Sequence, residues 1–230
     1  MTHWVRVAVA ALGIFAPFSL GAAPPDGGGD VRNVEAQGIA LPPPATRSAT
    51  SLEEALAARR SVREFAPVPL TRSQLSQLLW AAQGITGPGG QRTAPSAGAL
   101  YPLELYVATA DGLHQYVPDG HRLIRRISHD VRSALRRAAL DQVAVGTAPA
   151  VFVIAAVQAR TEVKYGSARS PRYLCMEAGH AAQNLLLEAA ALGLGGVPVG
   201  AFDDERVWNA LGLPADQRPL YLIPVGKARR

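Results

Sequence analysis

The chain has 230 residues, 48% of them hydrophobic, with 23 basic residues against 18 acidic and a single cysteine. Such a length suits one large domain or two small ones with ample apolar material for a core, which excludes a chain disordered throughout. Cys175 has no second thiol to pair with, and the five histidines form no H-E-x-x-H pattern or i,i+4 pair, so neither a disulfide nor a metal centre is expected.

Residues 1–23 hold one arginine, Arg6, then an apolar run from Val7 to Leu20 that closes on Gly21, Ala22 and Ala23. A membrane span needs about 20 apolar residues, and this run is shorter and broken by Pro17, so it reads as a cleavable secretory signal rather than an anchor. The expectation is an exported, periplasmic or secreted protein with no stable membrane span after cleavage. Loss of Arg6 leaves 22 basic and 18 acidic residues and a net charge of +4. Residues 24–50, with three consecutive prolines at 42–44, read as a Pro/Gly-rich linker or wrapping arm, and residues 51–230 as the folded domain.

Ser51 and Glu54 have capping-box spacing, predicting a helix over 52–60, and Thr71 and Gln74 repeat the signal for a second helix that stops at Gly84. A Gly/Pro-rich loop runs from Gly84 to Pro102. Alternation from Leu103 to Val107 predicts a strand, turned by Asp111-Gly112 into another over 113–117. The basic stretch Arg122–Arg137 reads as a turn and then an amphipathic helix over 129–141, with Val131, Ala134, Leu135 and Ala138 inward. Its arginines are taken as a solvated face, and without interleaved aromatics no nucleic-acid partner is expected. Ala150–Val157 is apolar throughout and too short for a helix, hence a central strand buried on both faces. An irregular polar stretch, 158–172, leads into a long Ala-rich helix over 173–192, apolar nearly all round, expected in the middle of the molecule or at a subunit interface. Gly195–Phe202 reads as a short strand, Asp203 as the cap of a helix to Leu211, and Leu220–Val225 as the last strand. Helices and strands mix without βαβ regularity, which predicts an α+β sandwich.

Dinucleotide and P-loop fingerprints are missing. The G-x-S-x-G elbow around Ser96 is incomplete because Ala94 holds its first glycine position, so a hydrolase pairing Ser96 with His180 has little support, and His180 reads as a hydrogen-bonded core histidine. What remains is a set of cations and backbone donors: Arg59-Arg60-Ser61-Val62-Arg63, Ala94–Gly98, Gly195–Gly200 and Gly226-Lys227-Ala228-Arg229. Guanidinium forks, a hydroxyl and exposed N–H groups are what a phosphate needs. An arginine pair at a helix C-terminus also complements the helix dipole with no ligand at all. Of the 23 basic residues only Lys164 and Lys227 are lysines, and a lysine can surrender its proton where an arginine cannot.

Four ordered blocks, Arg59–Phe65, Ala94–Pro102, Glu177–Leu185 and Gly195–Phe202, resemble the FMN-dependent nitroreductase superfamily, and within it the SagB/ThcOx-type dehydrogenase branch. The resemblance spans residues 51–229. It implies an obligate homodimer built on a mainly antiparallel sheet with helices around it, and a noncovalent FMN at the subunit interface. By resemblance Arg59, Arg60 and Ser61 hold the phosphate and ribityl chain, Arg63 faces the pyrimidine edge, and Lys227 and Arg229 close on the phosphate. Pro95, Ser96 and Ala97 pack on the ring from the partner subunit, and Val199 and Gly200 carry the N–H that approaches flavin N5. Lys164 and Tyr165 match the branch's Lys-Tyr pair, implicated in taking a proton from an azoline ring while flavin takes the hydride; on the residues alone, a solvated lysine beside a packing tyrosine reads equally well. The implied function is an FMN-dependent oxidoreductase acting on azoline-like or other small organic or peptide substrates. The alternatives are an NAD(P)H-dependent nitro or quinone reductase and a non-catalytic flavin-binding accessory protein.

Overall fold

Eight consecutive apolar residues, Ala150–Val157, have no polar face to turn to water, and they form the strand around which everything else is layered. The computed structural model describes residues 38–229. In chain order its elements are β1 (Ile39–Ala40), α1 (Leu52–Ala58), α2 (Arg72–Gln83), β2 (Leu103–Thr109), β3 (Gly112–Val117), β4 (Arg122–Ile127), α3 (Arg132–Ala138), α4 (Val143–Thr147), β5 (Ala150–Val157), α5 (Gln158–Tyr165), α6 (Ser170–Ala191), β6 (Gly195–Gly196), α7 (Asp204–Leu211) and β7 (Gln217–Gly226). The seven strands make one sheet in the order β1-β4-β3-β2-β5-β7-β6, with every neighbouring pair antiparallel.

The period of two in β5 sorts the core into two halves. Ala150, Phe152, Ile154 and Ala156 face a cluster with Leu78, Leu79 and Ala82 of α2 and Ala178, Ala182 and Leu185 of α6. Val151, Val153 and Ala155 face the other cluster, with Leu135 of α3, Val145 of α4 and Val207 and Leu211 of α7. The predicted α+β sandwich is thus a sheet covered by helices on both faces. Both predicted capping boxes form, Ser51 with Glu54 and Thr71 with Gln74. Asp203 caps α7 by accepting from the Arg206 N–H.

Five expectations are corrected. Arg122–Ile127 is not a turn before a helix but β4, pairing with β3 and β1; Leu123 is buried while Arg122, Arg125 and Arg126 are exposed, and the consecutive Arg125-Arg126 breaks the alternation that would mark a strand. The arginines of α3 are not all solvated, since Arg132 donates to Asp130 and to the Ala148 carbonyl. The stretch after β5 is the helix α5. And α6 starts at Ser170 and is buried on one side only: Met176, His180 and Gln183 are exposed, so His180 is a surface residue rather than a core histidine. The strand expected over Gly195–Phe202 shrinks to Gly195–Gly196 and a bridge between Val199 and Leu222. The end of the Pro-rich arm lies on the domain, with Leu41 buried and the Pro42 carbonyl accepting from Ser76 Oγ at 2.6 Å. The proposed signal segment, 1–23, lies outside the described residues. Among those described, no helix is long and apolar enough to cross a membrane.

Candidate functional site

The basic segments flanking the domain meet through backbone pairing. Past α1 the chain runs extended: Ser61 bridges Gly196 in parallel, and the Val62 N–H donates to the Gly196 carbonyl at 3.1 Å. Phe65 then bridges Ala228, with the Ala66 N–H donating to the Lys227 carbonyl at 2.8 Å and the Arg229 N–H to the Glu64 carbonyl at 3.0 Å. Residues 61–66 therefore form a spine between β6 and the segment after β7. Arg63, Lys227 and Arg229 stand exposed along it, and among the described residues neither they nor Arg59 form an ion pair with a carboxylate. Arg59 lines a cavity of about 230 Å³ with Arg60, Val62, Leu186, Gly195 and Gly196. The wall is tight: a methyl group on Gly195 would come within 2.5 Å of Val62 Cγ2.

Arg59 on a glycine-lined hollow, with guanidinium and ammonium groups that form no ion pair among the described residues on the adjoining spine, fits a phosphate. Arg60 behaves differently. Its guanidinium donates at 2.8 Å to both the Ala57 and Arg59 carbonyls, satisfying the end of α1, which is the dipole-complementing role that arginine pairs take without a ligand. Val199 is also committed, exchanging backbone bonds of 2.8 and 3.0 Å with Leu222. Of the pair matched to the N5 donor, the exposed Gly200 is the one whose N–H is not consumed by this bridge.

The second group gathers around the turn that precedes β2. Ser96 Oγ donates to Glu177 Oε2 at 2.6 Å and accepts from the Tyr101 N–H at 2.9 Å, closing a turn in which Gly98, Ala99 and Tyr101 have φ of 65°, 55° and 45°. Pro95 is exposed and Ala97 half-buried. Lys164 and Tyr165, on the last turn of α5, lie against Gly98: a methyl group there would sit 3.0 Å from Lys164 Nζ and 3.2 Å from the Tyr165 hydroxyl. The Tyr165 ring packs on Tyr173 of α6 with centroids 4.3 Å apart. Arg92 stacks over Tyr101, 4.7 Å from its centroid, and donates to Gln83 Oε1 at 2.7 Å. Arg160, one turn before Lys164, donates to the Tyr101 carbonyl and to Glu104.

The structure thus unites the loop 95–98 with Lys164–Tyr165, and 59–63 with 227–229. No hydrogen bond or ion pair among the described residues joins the two groups within one chain. A larger cavity of about 630 Å³, lined by residues such as His114, Leu123 and Pro149, contains none of the sequence-predicted site residues. Sequence reading passed over Glu177 as a functional group. Its visible signal was an acid in an alanine- and leucine-rich helix; it is 2% exposed, and burial pushes its carboxyl above the usual carboxylate range, against the opposing pull of Ser96 and Arg92.

Comparison with known proteins agrees with this geometry. Residues 56–227 match the model of the nitroreductase family. A Methanocaldococcus jannaschii protein carried under a provisional nitroreductase name is 46% identical over 182 residues, which cover 76% of this chain and 90% of that protein. A crystal structure from Ralstonia eutropha, provisionally named a nitroreductase too, is 33% identical and superposes with a TM-score of 0.77, covering 84% of this chain and 90% of the other. The NADPH:FMN oxidoreductase of Vibrio harveyi, solved with NAD+, shares the fold at 23% identity and a TM-score of 0.59, with coverages of 78% and 69%. With the family model matching most of the chain and two close relatives covered nearly end to end, this chain belongs to the nitroreductase family of flavin-dependent oxidoreductases.

Proposed function

We propose that the protein is an FMN-dependent oxidoreductase that works as a homodimer. The observation that carries this reading is the spine 61–66, which pairs with the segment holding Lys227 and Arg229 and so brings them together with Arg63, next to Arg59 on a glycine-lined hollow; among the described residues none of the four forms an ion pair with a carboxylate. Arg59, Ser61, Lys227 and Arg229 would hold the phosphate, Arg63 would face the electron-rich pyrimidine edge, and Gly200 would offer its N–H near N5. Bound flavin supplies hydride exchange; the chain supplies charge, orientation and exclusion of water.

The relative's nitroreductase name favours a nitro compound as acceptor, and NADPH appears in the name of the Vibrio harveyi fold neighbour. A second reading has its own observation: Lys164 and Tyr165 lie against the turn matched to the flavin-facing loop, where a base would remove a proton from carbon in a dehydrogenation. The deciding experiment adds NADPH anaerobically to FMN-loaded protein. Bleaching, followed by reoxidation with a nitroaromatic or menadione, is the expected result for a reductase. Flavin that NAD(P)H leaves oxidised, but that a thiazoline or oxazoline reduces, supports the dehydrogenase. Protein that takes up no FMN would refute both, and FMN binding with no turnover in either arm would leave a flavin-binding accessory protein.

A further inference from the structure

One face of α6 aims three side chains at the same neighbourhood. Tyr173, Glu177 four residues on, and Asn184 two turns further share a side of the helix. Tyr173 meets the Tyr165 ring, Glu177 accepts from Ser96 Oγ, and Asn184 Nδ2 donates to the Thr93 carbonyl at 3.2 Å. All three hold the loop 93–101 or the end of α5, the two pieces that meet at Gly98.

Glu177 is the member whose presence a helix would least favour. It is 2% exposed, makes no ion pair among the described residues, and its Oε1 has no partner. Desolvating a carboxyl group for the sake of one hydrogen bond is unfavourable unless that bond does something an apolar residue would not. What it does is read from Ser96. A hydroxyl has one hydrogen and two lone pairs; Glu177 takes the hydrogen, which leaves a lone pair for the Tyr101 N–H. That second bond closes a turn whose Ala99 and Tyr101 hold left-handed φ values, a conformation that side-chain-bearing residues keep only when the surroundings enforce it. The backbone of the same turn is the surface against which Lys164 Nζ and the Tyr165 hydroxyl rest.

We propose that Glu177 is a positioning residue: through Ser96 it latches the Ser96–Tyr101 turn, and through Gly98 it sets where the Lys164–Tyr165 pair stands. The inference rests on the proposed function only in taking this turn and this pair to border the flavin. Its prediction about the turn itself is independent of any reaction.

The experiment uses full-length, FMN-saturated protein in four forms: wild type, Glu177→Ala, Glu177→Gln and Ser96→Ala. Because the chain has only two lysines, trace labelling with acetic anhydride and mass spectrometry reads the reactivity of Lys164 against Lys227 in one sample. Hydrogen exchange reads the Tyr101 amide. Glu177→Ala and Ser96→Ala are expected to speed exchange at Tyr101 at least about tenfold and to change the Lys164:Lys227 ratio. Glu177→Gln keeps an oxygen for Ser96 to donate to and should restore both; NADPH–menadione turnover should fall about tenfold in kcat for the two alanine variants and recover with glutamine. Wild-type exchange and labelling in both alanine variants would overturn the proposal, as would a glutamine variant as disturbed as alanine. Should Glu177→Ala not fold, Ser96→Ala carries the same test. Expected exchange and labelling in a protein that neither binds FMN nor turns over would uphold the latch and refute the proposed function.

Discussion

The cations of the candidate phosphate site are not equivalent, and the difference is testable residue by residue. Among the described residues Arg59 and Arg229 form no ion pair with a carboxylate, so replacing either by Ala should remove a charge-assisted bond to phosphate worth about 1.5–3 kcal/mol; FMN affinity should fall about ten- to a hundredfold in a fluorescence titration. Arg60 is spent on the carbonyls that end α1. Arg60→Ala should leave FMN affinity within about threefold of wild type while lowering the urea midpoint, by a few tenths to about 1 kcal/mol of stability. Lys164→Met should leave flavin binding intact, and if Lys164 is the base it should slow dehydrogenation by about a hundred- to ten-thousandfold with dithionite reduction unchanged. Loss of flavin from that variant would reassign Lys164 to cofactor binding. His121 supplies a pH dependence. Its Nε2 reaches the Pro42 carbonyl and its Nδ1 the Tyr116 hydroxyl, and burial holds its pKa below the usual 6.5. The unfolded chain then binds the proton more tightly than the native one, so this stability is full above about pH 6.5 and is lost as pH falls through the lowered native value. His114, also depressed by burial, acts with the same sign. Urea midpoints should drop between pH 7.5 and 5.5, and His121→Asn, which tolerates the local φ of 44°, should shrink the drop.

Among the elements, the pairing of the 61–66 spine with β6 sets where the cations stand. A methyl group on Gly195 would strike the branched Val62 side chain, with approaches of 2.5 and 2.7 Å, so Gly195→Ala must push the spine away. The expected cost is about 1–3 kcal/mol, together with weakened FMN binding although no flavin contact is altered. Adding Val62→Ala should recover much of both losses, whereas additive losses would show that Val62 is not the obstacle. The strand β5 is different: its eight residues are all buried and its two faces serve separate clusters. Phe152→Ala should cost about 3–5 kcal/mol through the cavity it leaves, measured as a shift in denaturant midpoint.

For the whole molecule, no hydrogen bond or ion pair among the described residues joins the phosphate group to the Lys164 group within one chain, and a second subunit is the complement we consider. We propose a homodimer whose FMN touches both. Sedimentation of FMN-loaded protein should give twice the chain mass, and a monomer holding full FMN would refute the shared site. We likewise propose export, with cleavage after Ala23 or one residue earlier. Mass spectrometry of protein recovered from its native compartment should find a chain beginning near Pro24, and a mature N-terminus at Met1 in the cytoplasm would refute this.

The amino-acid sequence alone determined what depends on near neighbours. Capping boxes at Ser51 and Thr71, the alternation of Leu103–Val107 and the unbroken apolar run of β5 are local signals, since their partners lie within a few residues or their composition admits only one burial. The family was legible too, because four short blocks kept their order and residue types. Local pattern failed where charge masked it, as in β4, whose consecutive Arg125 and Arg126 break the strand alternation, and where a helix such as α5 lacks a capping side chain to announce it. Only the tertiary structure decided which cations are free. Arg59 and Arg60 are adjacent, chemically identical and both line the small cavity, yet only Arg60 spends its guanidinium on the carbonyls that end α1. It also decided that Glu177 is buried against Ser96, a contact across 81 residues that no spacing rule reaches. Side-chain chemistry travels with the residue, but the protonation, pairing and reach of that chemistry depend on what the folded chain brings beside it.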